Sequence, residues 1–225
     1  MTTIKVDIIF DFVCAWCYIG KRKLETAIAL YQKTYPGGKS DRFAISWRPY
    51  YLNYGPSTHS VDKQEVADVK LGDMDIEQRE KLHRRMGQIG RAVGINFKAG
   101  GKVGDTRAAH RLARFGSTRD PQVENALISG ILQAYHELEE DITDKEVLRQ
   151  IAVSSGITAT AADEYLDSEE DEKRVDEEAE ENRVLLAGSG VPTFIIQGAR
   201  LDGHPDVEDF MEAFIKAKEG EQAAN

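Results

Sequence analysis

Phe10-Asp-Phe-Val-Cys14-Ala-Trp-Cys17-Tyr-Ile-Gly20 is the stretch on which the fold turns. Upstream, Ile4-Lys-Val-Asp-Ile-Ile-Phe10 is β-branched and apolar enough for a buried strand. Downstream, residues 15–34 place Leu24, Ala27, Ile28 and Tyr31 on one helical face, and Pro36-Gly37-Gly38 stops the helix. The cysteines therefore fall at a strand-to-helix junction, with Cys14 at or near the N-cap. Open N–H groups and the positive end of the helix dipole favour a thiolate there, moving its pKa from ~8.5 toward the ~3.5–7.5 range of such sites. The two-residue gap puts Cys17 in the first turn, within reach of a mixed disulfide on Cys14. Cys14 is the expected nucleophile and Cys17 the resolving thiol. A second strand over 43–50 (Phe-Ala-Ile-Ser-Trp-Arg-Pro-Tyr) completes a strand–helix–strand unit with a parallel pair.

A chain of 225 residues buries roughly 70–75% of its unfolded surface and needs no staple to fold. The N-terminus runs into strand-like sequence without a basic region, an apolar run or a small-residue cleavage site, and no window approaches ~18 apolar residues. The expectation is a soluble cytoplasmic protein, in which two cysteines serve redox, catalytic or metal chemistry rather than a structural disulfide. Zinc needs two further ligands. There is no third cysteine, and the five histidines contain no H-x₃₋₅-H pair, so no metal site is expected. The remaining alternative is a pair of inert, small apolar side chains.

From about residue 61 the pattern turns helical. Leu82, Met86, Ile89 and Val93 form one stripe closed by Gly94; Asp120-Pro121 opens another that runs through Leu127, Ile131, Ala134 and Leu138; Thr143-Asp-Lys-Glu146 has the form of a capping box. Strand character returns at Val191-Pro-Thr-Phe-Ile-Ile196 and briefly at Arg200-Leu201. A last helix follows with Val207, Phe210, Met211, Phe214 and Ile215 at core spacing, and the tail Glu219–Asn225 is expected to fray. The predicted architecture is a discontinuous α/β domain (1–60 and 187–225) interrupted by an all-helical insertion (61–186). The net charge of −10 resides in residues 163–181, with twelve acids and two bases, predicted to form a solvated helix face supported by Glu169–Lys173 and Glu170–Arg174 pairs. That block would repel nucleic acid and anionic lipid, and no basic groove offsets it.

The segment Phe10–Glu25 resembles the active-site region of DsbA-like oxidoreductases of the thioredoxin fold, specifically their FrnE-like subgroup. Trp47-Arg-Pro-Tyr-Tyr-Leu-Asn53, Asp105-Thr-Arg-Ala-Ala-His-Arg-Leu112 and Gly190-Val-Pro-Thr-Phe194 extend the likeness along the chain. The resemblance implies a thioredoxin-like fold, a redox-active Cys14/Cys17 disulfide as the sole prosthetic device, and a cis Pro192 against the pair. It further implies that the Val191 backbone is free to pair with substrate. Ala15, Trp16 and Thr193 complete the expected substrate-facing set. Ala15 stands where the subgroup usually has proline, and Asp105 where asparagine is common; Asp105 is expected to cap a helix. Asp7 is a candidate proton acceptor for Cys17, and Asp11 reads as a turn or capping residue.

The expected activity is dithiol–disulfide exchange with a protein or small-molecule thiol, glutathione among the candidate co-substrates. Two alternatives use the same architecture. Kappa-class glutathione transferases and 2-hydroxychromene-2-carboxylate isomerases generally carry serine at the Cys14 position. A redox-regulated holdase would use the helical domain as an apolar groove.

Overall fold

The strand before the cysteines lies at the centre of a sheet. In the computed structural model, residues 1–53, 59–201 and 204–223 are described, with side chains to Gly220. The elements in chain order are β1 (Thr3–Phe10), α1 (Ala15–Thr34), β2 (Arg42–Pro49), β3 (Val61–Asp62), α2 (Lys63–Lys70), α3 (Ile76–Ala92), β4 (Lys102–Val103), α4 (Arg107–Ser117), α5 (Pro121–Glu137), α6 (Lys145–Ser154), α7 (Ala159–Asp167), α8 (Glu172–Leu186), β5 (Thr193–Ile196), β6 (Ala199–Leu201) and α9 (Val207–Ala223). Two compact units divide at 50/51 and 178/179, N-terminal to the expected 60/61 and 186/187. The first unit comprises 1–50 and 179–225, the second 51–178.

In the first unit the strand order is β2-β1-β5-β6. β1 runs parallel to β2, Thr3 opposite Arg42 through Phe10 opposite Pro49, and antiparallel to β5, Val6 opposite Ile196 through Ile9 opposite Thr193. Ile4, Val6 and Ile8 are buried at period two, and Ile9 and Phe10 are buried as well, as a strand covered on both faces requires. α1 packs on α9, where Tyr31, Phe43 and Phe214 meet edge to face with centroids 4.8 to 5.7 Å apart, and Phe194 meets Phe210 at 4.8 Å.

A buried ion pair closes this core. Lys218 Nζ donates to both Asp41 carboxylate oxygens at 2.6 Å, while the Thr2 N–H (2.8 Å) and the Tyr31 hydroxyl (3.0 Å) donate to the same carboxylate. These donors hold Asp41 below the usual carboxylate range although burial opposes it. α9 continues to Ala223 rather than fraying from Glu219, since Lys218 is anchored one turn before its end; Ala224 and Asn225 lie outside the described residues.

Among its described residues the second unit is helical apart from a two-stranded antiparallel ribbon, β3 with β4, whose two-residue strands are too short to show a period in the sequence. Asp120 caps α5 as expected, accepting from the Gln122 N–H at 2.7 Å. Thr143 is not a cap. Its hydroxyl and N–H both donate to Asp141 Oδ1, so Asp144 caps α6 instead. Leu138 is the exposed C-cap of α5 rather than a core residue. Gly116 permits α4 to approach α5, since a Cβ there would lie 2.4 Å from Leu127 Cδ1.

The acidic block differs from its predicted form. Glu169 and Glu170 precede α8, so neither makes the expected helical pair, and Lys173 pairs with Glu177. Its other acids are largely bound: Arg114 holds Asp171 and Glu178, Arg149 holds Asp163, and Arg107 holds Asp176, which also accepts from the Tyr51 hydroxyl at 2.8 Å. The bases of α4 and α6 thus bind charge that the sequence leaves facing solvent.

Two stability predictions follow from buried carboxyls. Asp41→Asn leaves the Lys218 ammonium buried without its counter-charge and costs about 3–5 kcal/mol in urea unfolding. Glu124 responds oppositely. Burial raises its pKa to about 7, so the penalty for ionising it in the folded state grows as pH rises from its unfolded value through about 7. Glu124→Gln therefore raises the melting temperature at pH 8 and leaves it unchanged at pH 4, as differential scanning calorimetry would read.

Candidate active site

β1 ends at Phe10 and a tight turn follows, closed by the Cys14 N–H donating to the Asp11 carbonyl at 3.2 Å. Cys14 is the N-cap of α1 with extended backbone (φ −88°, ψ 109°), and its carbonyl accepts from the N–H groups of Cys17 (3.0 Å) and Tyr18 (3.3 Å). The first turn of α1 contains no acid, so nothing there offsets the positive helix end.

Across the sheet, Thr193 lies opposite Ile9, which brings the segment before β5 to the same end of β1. The Val191–Pro192 peptide bond is cis, and the Cys14 thiol donates to the Val191 carbonyl at 3.6 Å. Gly190 has φ +82°, a left-handed conformation that a side chain would strain, at the entry to this segment. Gly20 has a steric role. A Cβ on it would lie 2.8 Å from the Phe194 ring and 3.6 Å from Pro192, so the absence of one lets α1 approach the proline.

Cys14 and Cys17 are free thiols, 9% and 3% exposed, and their acidities diverge. The Cys17 thiol donates to the Cys14 sulfur, and with the backbone N–H groups of Cys17 and Trp16 this lowers the Cys14 pKa against the pull of burial. Complete burial pushes Cys17 well above its ordinary value, and the hydrogen bond to Cys14 reinforces it. The expected nucleophile is thus the more acidic of the two thiols, and the expected resolving thiol the less acidic.

The remaining expected residues separate in role. Ala15 and Trp16 are half-buried beside the pair. Thr193 is buried, and its hydroxyl donates to the Gly190 carbonyl at 3.0 Å, so it shapes the loop around Val191 rather than presenting its side chain outward. Asp7 lies midway along β1 opposite Ser46 and Ile195, half-buried. Asp11 stands at the end of the strand, 1% exposed, and its negative charge raises the pKa of both cysteines. Asp7, the candidate proton acceptor, thus lies in the strand, and Asp11, the expected turn residue, stands in the turn that leads to Cys14. In the second unit Asp105 precedes the N-cap Thr106 and binds Arg107 twice, accepting from its N–H at 2.8 Å and from Nη1 at 2.7 Å, so it secures the start of α4 from one residue upstream of the expected position.

The sequence model of the DSBA-like thioredoxin domain matches residues 5–214. A search of curated proteins returns no match. Among solved structures, the chain is similar to a probable DsbA oxidoreductase from Streptomyces coelicolor, with TM-score 0.82 and 24% identity over 96% of this chain and 90% of that one. It is also similar to a 2-hydroxychromene-2-carboxylate isomerase (TM-score 0.65, 14% identity, 98% of each chain). A third likeness is to the cytosolic disulfide reductase DsbM from Pseudomonas aeruginosa, solved with GSH (TM-score 0.60, 15% identity, 96% and 98% of the two chains).

Asp11→Asn removes the negative charge facing both sulfurs. The pH of half-maximal Cys14 alkylation by iodoacetamide should fall in this variant, with the far-UV circular dichroism unchanged.

Proposed function

The chain belongs to the family of DSBA-like thioredoxin domains, and we propose that it exchanges disulfides through the Cys14-Ala-Trp-Cys17 pair. The observation that carries this reading is the pairing of an acidified Cys14 with a buried, protonated Cys17, the first lying 3.6 Å from the backbone that precedes Pro192.

In the reducing direction the Cys14 thiolate attacks a substrate disulfide, forms a mixed disulfide and releases the first substrate thiolate. Cys17 gives up its proton and attacks the Cys14 sulfur. The second substrate thiolate leaves, and a Cys14–Cys17 disulfide remains; two electrons have passed to the substrate, and its two thiolates take up protons from solvent and from the group that received the Cys17 proton. Asp11, buried beside both sulfurs, is the better placed acid to receive the Cys17 proton, ahead of Asp7. In the other direction the same steps oxidise a substrate dithiol. Val191 offers backbone hydrogen bonds to an extended substrate segment next to the reacting sulfur, with Ala15 and Trp16 flanking it. Pro192 keeps an N–H from competing for the thiolate.

Glutathione is the small-thiol co-substrate we favour, on the likeness to a cytosolic reductase solved with GSH, and the same likeness supports a cytoplasmic setting. No helix among the described residues is long and apolar enough to cross a membrane. The isomerase likeness shares the fold, but a cysteine at position 14 can form a disulfide with Cys17 that a substrate thiolate opens by exchange, whereas a serine there could only hold the thiol.

Cys14→Ser should lower insulin reduction with glutathione as electron donor by about three orders of magnitude or more. Cys17→Ser should instead accumulate a mixed disulfide on Cys14, visible by intact-mass spectrometry. Unchanged turnover in Cys14→Ser, or conjugation of an aromatic electrophile by that variant, would overturn the proposal.

A further inference from the structure

Trp16, between the two cysteines, does not stand alone. Its indole lies on the imidazole of His204, ring centroids 3.9 Å apart and planes 15° from parallel. His204 lies after β6, nearly 190 residues along the chain, in the loop that enters α9.

That loop is held from both ends of the contact. Lys23, on α1 two turns beyond Trp16, donates from Nζ to the Pro205 carbonyl at 3.3 Å, and Pro205 is buried. On the other side Asp206 and Asp209 cap α9 reciprocally. Asp206 Oδ1 accepts from the N–H groups of Glu208 (3.0 Å) and Asp209 (3.1 Å), and Asp209 Oδ2 accepts from the Asp206 N–H (2.8 Å). His204 is therefore presented to Trp16 by a braced segment, although its own side chain is exposed.

We propose that His204 is a positioning residue for thiol–disulfide exchange: by clamping the Trp16 indole it fixes the first turn of α1, so that the N–H groups of Trp16 and Cys17 stay aimed at the Cys14 sulfur. The clamp acts as a neutral aromatic surface. Partial burial and the Lys23 ammonium both push the imidazole toward its uncharged form, so its contribution near neutral pH is stacking rather than charge. Without it, Trp16 turns on its own χ angles, and the backbone N–H groups that favour the thiolate lose their fixed aim.

The inference rests on the exchange reaction for its consequence in turnover, but its test needs no substrate. The chain has two tryptophans, so a Trp47→Phe background makes Trp16 the sole indole, read selectively over the tyrosines by excitation at the red edge of tryptophan absorption. In that background His204→Ala should increase acrylamide quenching of Trp16 and raise the pH of half-maximal Cys14 alkylation by at least about 0.5 unit. His204→Phe should restore both to the parent values, since it keeps the stacking surface and has no ionisable group. The proposal is overturned if His204→Ala frees the indole while the alkylation midpoint stays in place, if quenching does not change, or if His204→Phe fails to rescue. Circular dichroism and the melting temperature of His204→Ala separate loss of the clamp from loss of fold. Failure of the wild-type protein to reduce insulin would overturn the exchange reading and leave this measurement standing.

Discussion

The register between β1 and β5 is the constraint on which the site depends. With Ile9 opposite Thr193, two residues back from the start of β5 lie at Val191, and five residues on from Ile9 lead through the Asp11 turn to Cys14. The sulfur and the Val191 carbonyl meet at 3.6 Å because both segments leave the same end of one strand pair. A slip of one residue would turn the apolar side chains of β1 to the wrong faces and part the two segments, so the burial of Ile4, Val6 and Ile8 also fixes the geometry around the two cysteines.

Given that register, the difference between the two sulfurs follows from position. Cys14 is the N-cap, where the N–H groups of the first turn and the Cys17 thiol favour charge on its sulfur. Cys17 is one turn in, buried on the core side of α1, where a charge has no solvent to stabilise it. One turn further, Lys21 is buried as well, tied to Glu25 and 6.0 Å from the Trp47 ring centre. Burial lowers the pKa of that lysine, but the carboxylate four residues on holds it in an ion pair. The apolar neighbourhood that keeps Cys17 protonated thus extends along the buried face of α1.

Local signals made much of this legible. The apolar strand, the helical face of residues 15–34 and the proline after Asp120 each act within a few residues, and β1, α1 and the start of α5 appear where the sequence puts them. What escaped was decided by competition or by distance. Thr143 has the spacing of a capping box, yet Asp141 binds its hydroxyl and its N–H, and the cap passes to Asp144. Asp11 resembles an ordinary turn residue until the turn closes and buries it against the sulfurs. His204 could not be associated with Trp16 from sequence at all, because only the packing of α9 on α1 makes them neighbours.

The dipeptide between the cysteines shows how such distant contacts complete the site. Ala15 lacks the ring that would fix φ at this position, so the backbone of the first turn has more freedom than an intervening proline would leave it. Order must then come from neighbours: Gly20 lets α1 close onto Pro192 and Phe194, Cys14 is drawn to the Val191 carbonyl, and the indole of Trp16 is covered by His204. These neighbours come from two other stretches of chain, 191–194 and His204, and converge on the first two turns of α1. The surroundings of the two sulfurs are therefore set by the whole sheet-and-helix unit, and the identity of the two intervening residues sets only part of them.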